Sequence, residues 1–387
     1  MRTRTAAVAG AGIAGLAAAA VLARRGFQVE VYERSLNPRE FGAGIYLKEN
    51  SLPVLEELGA YDEVAASGVL MRAVRIADER EKIIVTRDTD RERLIVVQRS
   101  VLHTALLNAA LAAGVTLITG TAVSGGRPDG SLLLDGRDPV RADLVVAADG
   151  VSSAVRESLG LTRVNRTLPS GATRLLIPRE ETDNVSTEYW SGSHRVGVAP
   201  CSADATYVFM ISPERDHRAA QMPVDKKYWT RVLPHLAGVF ERISDDSGVH
   251  HAHAYVSCKG WTTGRVAIIG DAAHAQPPNF GQGAGLAIAN ARKLADFVAG
   301  GGDVPEMLGA WERHVRRGSL TVQRLTTAYD MAGSLDTLLP VRSTLFHSLS
   351  TFKPTARMWE YWWRGGVPAP AAPDAAAPDA ASAKARP

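Results

Sequence analysis

The chain is poor in cysteine, in long apolar runs and in net charge. Of 387 residues only Cys201 and Cys258 are cysteines. They form no CxxC and have no histidine at ligand spacing, which speaks against a disulfide framework or a zinc site. Such scarcity suits a reducing, cytoplasmic setting. No stretch of 18 apolar residues runs free of charges and turn signals, so no membrane span is expected. The first motif follows the N-terminus without a cleavage-type apolar region, so no signal peptide is expected. The formal net charge is only +3. The basic residues are scattered, which argues against a nucleic-acid partner. What is present is a 45% apolar, 22% charged composition, that of a soluble globular chain with room for one large or two ordinary domains.

The opening reads strand, turn, helix, strand: "AAVAG", "AGIAG", "LAAAAVLARRG", "QVEVYER". This is a βαβ unit. Short helices are predicted over 51–58, stopped at Gly59, and over 100–113, stopped at Gly114. "LLLDGRDPVRADLVVAADG" predicts a hairpin turning at Asp135-Gly136, then a buried strand. From about 165 to 260 short β-type runs alternate with turns, with one helix near 225–242. The first pattern resumes at "RVAIIGD" and becomes helical after 283. The expected division is a discontinuous α/β cofactor domain (1–165 and 261–300) and an inserted, mostly antiparallel β-sheet domain (166–260). C-terminal helices (301–366) and a disordered Pro/Ala tail (367–387) complete it.

Gly10, Gly12 and Gly15 spell GxGxxG between a strand and a helix. Glycines there permit a tight turn and let backbone N–H groups, with Ala14 beside them, approach a pyrophosphate at the helix N-terminus. Glu33, 18 residues past Gly15 and followed by Arg34, is placed to accept hydrogen bonds from a ribose. An acid there disfavours a 2′-phosphate. The motif alone does not separate NAD from FAD.

Two later segments carry a resemblance. "DGVSSAVR", with Asp149, Gly150, Ser153 and Arg156, resembles the DGxxSxxR signature of the single-component FAD-dependent aromatic monooxygenases, the para-hydroxybenzoate hydroxylase-like family. "IIGDAAHAQPPNFGQGAGLAI" is similar to that family's second FAD motif. The family implies a Rossmann-like FAD-binding domain, with Asp149 and Arg156 among the cofactor-binding residues, Asp271 on the ribityl hydroxyls and Arg99 reaching the phosphates. Gly270 is a further cofactor-binding candidate, and residues 276–285, with Pro278, Gly281, Gly283 and Ala284, would lie along the flavin ring, the next helix pointing its positive end at it. "FGAGIYLKENSLPVLEELG" and "RVGVAPCSADATYVFMISP" are most similar to the branch that oxygenates and opens 2-methyl-3-hydroxypyridine-5-carboxylate.

The resemblance implies hydroxylation, with or without ring opening, of a small hydroxylated aromatic or pyridine carboxylic acid. NAD(P)H and O2 would be consumed through a C4a-hydroperoxyflavin. Arg195 and Tyr207 match that branch's substrate-contacting positions and are the candidate catalytic residues. The alternative is a surface arginine and a core tyrosine. Arg174, Arg72, Tyr46 and Trp190 are candidate substrate-binding residues, Tyr46 and Trp190 being equally readable as packing. Arg72 departs from the branch, which has tyrosine there. His274 is expected to be structural. "HHAHAY" puts His251 and His253 on one strand face without a third ligand, and no metal site is expected. The Trp-rich "MWEYWWRG" is expected to pack C-terminal helices or a homodimer contact. The competing classes are a flavoprotein oxidase or dehydrogenase on the same fold, and a non-catalytic flavin-binding protein.

Overall fold

The computed structural model describes residues 3–38, 43–90, 92–180, 183–334, 348, 360, 361, 363 and 364. The expected tail at 367–387, and much of the C-terminal helical part after 334, lie outside the described residues.

A six-stranded sheet forms the first layer. Its order runs Thr262–Thr263, Val266–Ile268, Leu144–Ala147, Thr5–Ala9, Gln28–Tyr32, Thr116–Ile118. All pairs but the Thr262–Thr263 edge are parallel. The central strands are apolar throughout, as strands covered on both faces must be. The helix Ile13–Arg24 lies against the sheet and is buried from Ile13 to Leu22, apart from half-buried Ala14. Its run of alanines has no polar face, which suits a helix enclosed on all sides. The helix Gln282–Ala299 packs directly on it.

The second layer is a seven-stranded, mostly antiparallel sheet. The order is Val249–Cys258, Thr162–Pro178, Ala205–Pro213, His194–Pro200, Val185–Ser191, Ala73–Asp78, Ile83–Asp88. Its border differs from the expected 166–260. The sheet begins at Thr162 and recruits two strands from residues 73–88. Ala73–Asp78 pairs in parallel with Val185–Ser191, a long-range pairing that no local pattern encodes. The helix expected near 225–242 is broken into Lys226–Val232, a 3₁₀ turn Pro234–Leu236, and Ala237–Glu241. Pro234 has no N–H to continue the helical ladder.

Alternation gives this sheet two different faces. Leu175, Val196, Val208 and Met210 face outward onto Trp229, Leu233 and Phe240 from the broken helix. Arg174, Glu188, Trp190, Arg195, Tyr207 and Phe209 occupy the other face, as their cross-strand register requires. That face looks toward the first layer and the long helix Val304–Ser334.

Trp229 is fully buried in the outer layer. Trp229→Ala is expected to lower stability by about 3–5 kcal/mol through loss of burial and a residual cavity. A urea unfolding midpoint within error of the parent would contradict this packing.

Candidate active site

The two glycine segments are far apart in the chain and meet edge to edge. Gly10 takes φ +95°, and a Cβ there would sit 2.6 Å from the Ala148 carbonyl oxygen. Gly270 takes φ +60°, and its Cβ would meet the Ala14 methyl at 2.8 Å. Both conformations favour glycine. The result is a concave rim of backbone from Gly10–Gly15, Asp149–Gly150 and Gly270–Gly283. The helices Ile13–Arg24 and Gln282–Ala299 both start at this rim with no side-chain cap. Their first N–H groups are the donors an anionic group would take.

Glu33 receives the Ala11 N–H at 2.9 Å and the Ser35 N–H at 2.8 Å. Its carboxylate thus ties the end of its strand to the glycine turn, while Arg34 is exposed. Asp149 accepts the Val155 N–H at 3.2 Å through one oxygen. Its other oxygen, Oδ1, is buried without a partner. Asp271 is exposed at the rim. Arg99 begins the helix Arg99–Ala112, half-buried and close enough to Tyr207 to act on its charge.

Arg156 points elsewhere than the resemblance implies. Its fully buried guanidinium donates to Ala272 O, Val151 O, Thr162 Oγ1 and Glu157. It staples the segment after Asp149 to the helix at Asp271–His274. His274 is buried against Trp261, ring centroids 5.1 Å apart, and burial lowers its pKa.

On the facing sheet Arg195 is wholly buried. It donates to Asp330 Oδ1 at 2.7 Å and Asn279 Oδ1 at 3.0 Å, with Glu188 at 3.5 Å. Burial opposes its charge, yet Glu188 and Asp330 hold its pKa above the ordinary value. Asp330 also takes Ser170 Oγ and lies 3.4 Å from His253 Nδ1. These donors outweigh the effect of burial and keep its pKa below the usual carboxylate range. Arg195 is therefore held by the protein's own acids. Trp190 is also buried, its indole N–H on Glu188 at 2.7 Å and its ring against Tyr329.

Tyr207 sits apart from that pair, in an apolar cluster with Met71, Val96 and Cys201. Tyr46 meets it edge-on, with centroids 6.4 Å apart, and bonds Ser186 Oγ at 2.7 Å. Burial pushes the Tyr207 hydroxyl up to about 12, against the pull of Arg174 and Arg99. Arg174 reaches His251 Nδ1 at 3.4 Å, and its Nε is buried without a partner. Arg72 is exposed beyond this cluster. The loop from Pro277 to Gln282 packs against this cluster through Phe280, which adopts φ +59°. A non-glycine residue held there is strained, a state found mostly at functional sites.

A profile described as an FAD binding domain matches residues 2–303. The chain belongs to the family of FAD-dependent aromatic monooxygenases. It is 34% identical over 335 residues to the 2-heptyl-3-hydroxy-4(1H)-quinolone synthase of Mycobacteroides abscessus, covering 84% of this chain and 88% of that one. It is 31% identical to the 3-amino-4-hydroxybenzoate 2-monooxygenase of Streptomyces cremeus, over 74% of this chain and 77% of that one. Among solved structures, 2-methyl-3-hydroxypyridine-5-carboxylic acid oxygenase superposes with a TM-score of 0.82 at 33% identity. The match covers 87% of this chain and 93% of the other.

The rim of this flavin monooxygenase fits its cofactor. The orphaned Asp149 oxygen is the acceptor a cofactor hydroxyl would meet, and a Cβ at Gly150 or Gly283 would meet nothing within 4 Å, so the backbone there is open to a ligand. Among the described residues no cluster of three or more His, Cys, Asp or Glu is placed to hold a metal. No described helix is long and apolar enough to cross a membrane.

Residues that sequence reasoning did not single out complete the site: Asp330, Asn279, Glu188, Phe280 and Lys48; Trp363, expected in a helix-packing or homodimer segment, lies instead in the Tyr207 cluster. Asp330 carried a signal, an acid on the buried face of a helix beside Thr326, Thr327 and Gln323. Lys48 follows the Tyr46 strand and is buried, its Nζ 3.0 Å from Trp363 O. Burial, then Arg87, pushes it down to about 7 against Glu92.

Asp330→Ala is expected to destabilise the fold by about 2–4 kcal/mol, because buried Arg195 loses its shortest ion pair and keeps only Glu188 at 3.5 Å. A loss below about 1 kcal/mol in urea titration, the scale of an exposed ion pair, would refute that account. Lys48 gives a pH signature. Its folded pKa lies below its unfolded value of 10.5, so between about pH 7 and 10.5 the unfolded chain binds more protons and stability rises with pH. Lys48→Met removes this rise. Parallel stability–pH profiles for the two proteins would contradict it.

Proposed function

We propose that this monooxygenase hydroxylates a hydroxy- or oxo-substituted aromatic or N-heteroaromatic ring, with NAD(P)H as electron donor and O2 as oxygen source. The overall conversion takes a ring C–H, O2, NAD(P)H and a proton to a ring C–OH, NAD(P)+ and water. Bound FAD supplies the electron transfer and the activation of O2. Gly10, Gly12, Ala14 and Gly15 would present backbone N–H groups to its pyrophosphate, and Glu33 would accept from its ribose. Asp149 and Asp271 would hold hydroxyls. Gly281, Gly283 and Ala284 would line its ring from the start of their helix.

The observation that carries the substrate reading is the facing sheet. There Tyr207 stands among apolar side chains, with Arg174 and its unpartnered Nε close by. Its raised pKa keeps the Tyr207 phenol neutral, so it donates a hydrogen bond to the ring's oxygen substituent. Arg174 stabilises negative charge that develops there. Arg195 is occupied by Asp330. Its contribution in this reading is to position the Asn279–Phe280 loop, and the anchoring of an anionic substituent passes to Arg174. A carboxylate on the ring is thus accommodated but not required. Quinolone, hydroxypyridine and hydroxybenzoate rings, the classes named for the relatives, all meet this description. Apolar walls exclude water from the reacting ring. The two free, buried cysteines support a cytoplasmic setting.

The test is O2 uptake and NAD(P)H consumption by the purified yellow protein. The panel is 2-heptyl-4(1H)-quinolone, 4-hydroxybenzoate and a 3-hydroxypyridine carboxylate. At least one ring is expected to stimulate both and to gain a hydroxyl by mass spectrometry. NAD(P)H oxidation that no ring stimulates would favour an oxidase or dehydrogenase instead. Asp271→Ala is expected to purify with under about a tenth of the parent's flavin, one lost charge-assisted contact being worth about 1.5–3 kcal/mol. Full flavin content would remove Asp271 from the cofactor site.

A further inference from the structure

Glu360, Tyr361, Trp363 and Arg364 are far from the cofactor motifs in the chain, yet Trp363 and Arg364 reach residues beside them. The Trp363 ring is buried in the cluster that holds Tyr207 and Cys201. It meets Phe280 edge-on, with centroids 5.9 Å apart, and lies over Lys48 Nζ at 3.9 Å. Its carbonyl accepts two buried donors from separate elements, Lys48 Nζ at 3.0 Å and Gln282 Nε2 at 3.2 Å. Gln282 is the first residue of the helix Gln282–Ala299, whose start would face the cofactor ring in the reading above. The next residue, Arg364, pairs with Glu92 at 3.2 Å, both side chains over nine-tenths buried. Arg87 shares the same carboxylate. The Tyr361 hydroxyl packs over Gly318 of the long helix. Separate parts of the chain thus grip one short segment. A surface helix packing only for stability needs neither a doubly bonded carbonyl nor a buried ion pair.

We infer that Trp363 is the outer wall of the substrate chamber and a specificity-determining residue, setting how large a ring fits beside Tyr207, with Lys48, Gln282 and Glu92 acting as its positioning residues. This rests on the monooxygenase reading above. The ligand class is a planar aromatic ring between Tyr46, Tyr207 and Phe280, flanked by the Trp363 face. Aromatic walls of this kind prefer edge-on and offset contacts with a ring substrate. Cys201 is a free, buried thiol in the same cluster as Trp363, whereas Cys258 belongs to the separate core around the six-stranded sheet. Burial pushes the Cys201 thiol up to about 12, so its labelling is slow while the chamber is closed.

The test uses the full-length, FAD-loaded chain. Methyl methanethiosulfonate labels the two cysteines at rates read by mass spectrometry. Trp363→Ala is expected to speed labelling of Cys201 at least about tenfold, as local opening of a wall does, with Cys258 unchanged. Trp363→Phe restores most of the protection. Glu92→Gln, which releases Arg364, gives an intermediate rate. In a second arm, 4-hydroxybenzoate and 4-quinolone are titrated against the flavin absorbance. Trp363→Ala is expected to shift the ratio of their Kd values at least about tenfold toward the two-ring ligand, with flavin content unchanged. Unchanged protection of Cys201, equal acceleration of both cysteines, or an unmoved Kd ratio would each overturn the inference. If neither ring perturbs the wild-type flavin, the functional reading fails, while the Cys201 rates still decide whether Trp363 closes the chamber.

Discussion

The buried pair between Arg195 and Asp330 is the constraint on which the site depends. Neither charge has access to water, and an isolated charge in that position is costly. Each must therefore keep its partner, and the partners belong to different layers. Arg195 is on the substrate-side sheet, Asp330 on the long helix, and Asn279, which bonds both, on the loop leading into the cofactor helix. Satisfying one guanidinium aligns three elements at once. Ser170 and His253 complete the shell around the carboxylate.

Given that alignment, the chamber follows from the two faces of the sheet. The outer face is covered by Trp229, Leu233 and Phe240. The inner face, with Tyr207 and Arg174, is left to meet the glycine rim. The rim in turn depends on close backbone approach, since Gly270 and Ala14 leave no space for a side chain between them. Arg156 reinforces it from behind by holding the Ala272 carbonyl. The residue that resemblance assigns to the cofactor acts in this structure as a brace for the cofactor loop.

Much of the cofactor half is legible in the sequence itself. The βαβ unit, the glycine spacing, Glu33, the Asp135-Gly136 hairpin and the acid–glycine loop at 270–283 are all local signals. Turn geometry and strand periodicity act over a few residues and leave a mark there. The substrate half is legible only in outline. Alternation puts Arg195 and Tyr207 on one face, but not the neighbours that divide their roles. The strands at 73–88 carry no sign that they join a sheet built mainly after residue 162. Pro234 does announce a break in its helix, which the single helix expected over 225–242 ignores.

Sequence by itself determined a dinucleotide-type cofactor cradle and which strands alternate, because these follow from residue type and spacing within short windows, while the choice of FAD came from resemblance to a family. Tertiary structure alone decided which charges are spent and which remain. Arg195 and Arg174 are alike as residues, on two strands of one sheet. One is paired with an acid 135 positions away, and the other reaches a histidine, His251, at 3.4 Å. Trp363 joins the Tyr207 cluster in the same way, through contacts with Lys48, Gln282 and Phe280. Such pairings are fixed by where the chain returns in space, and no local pattern records them.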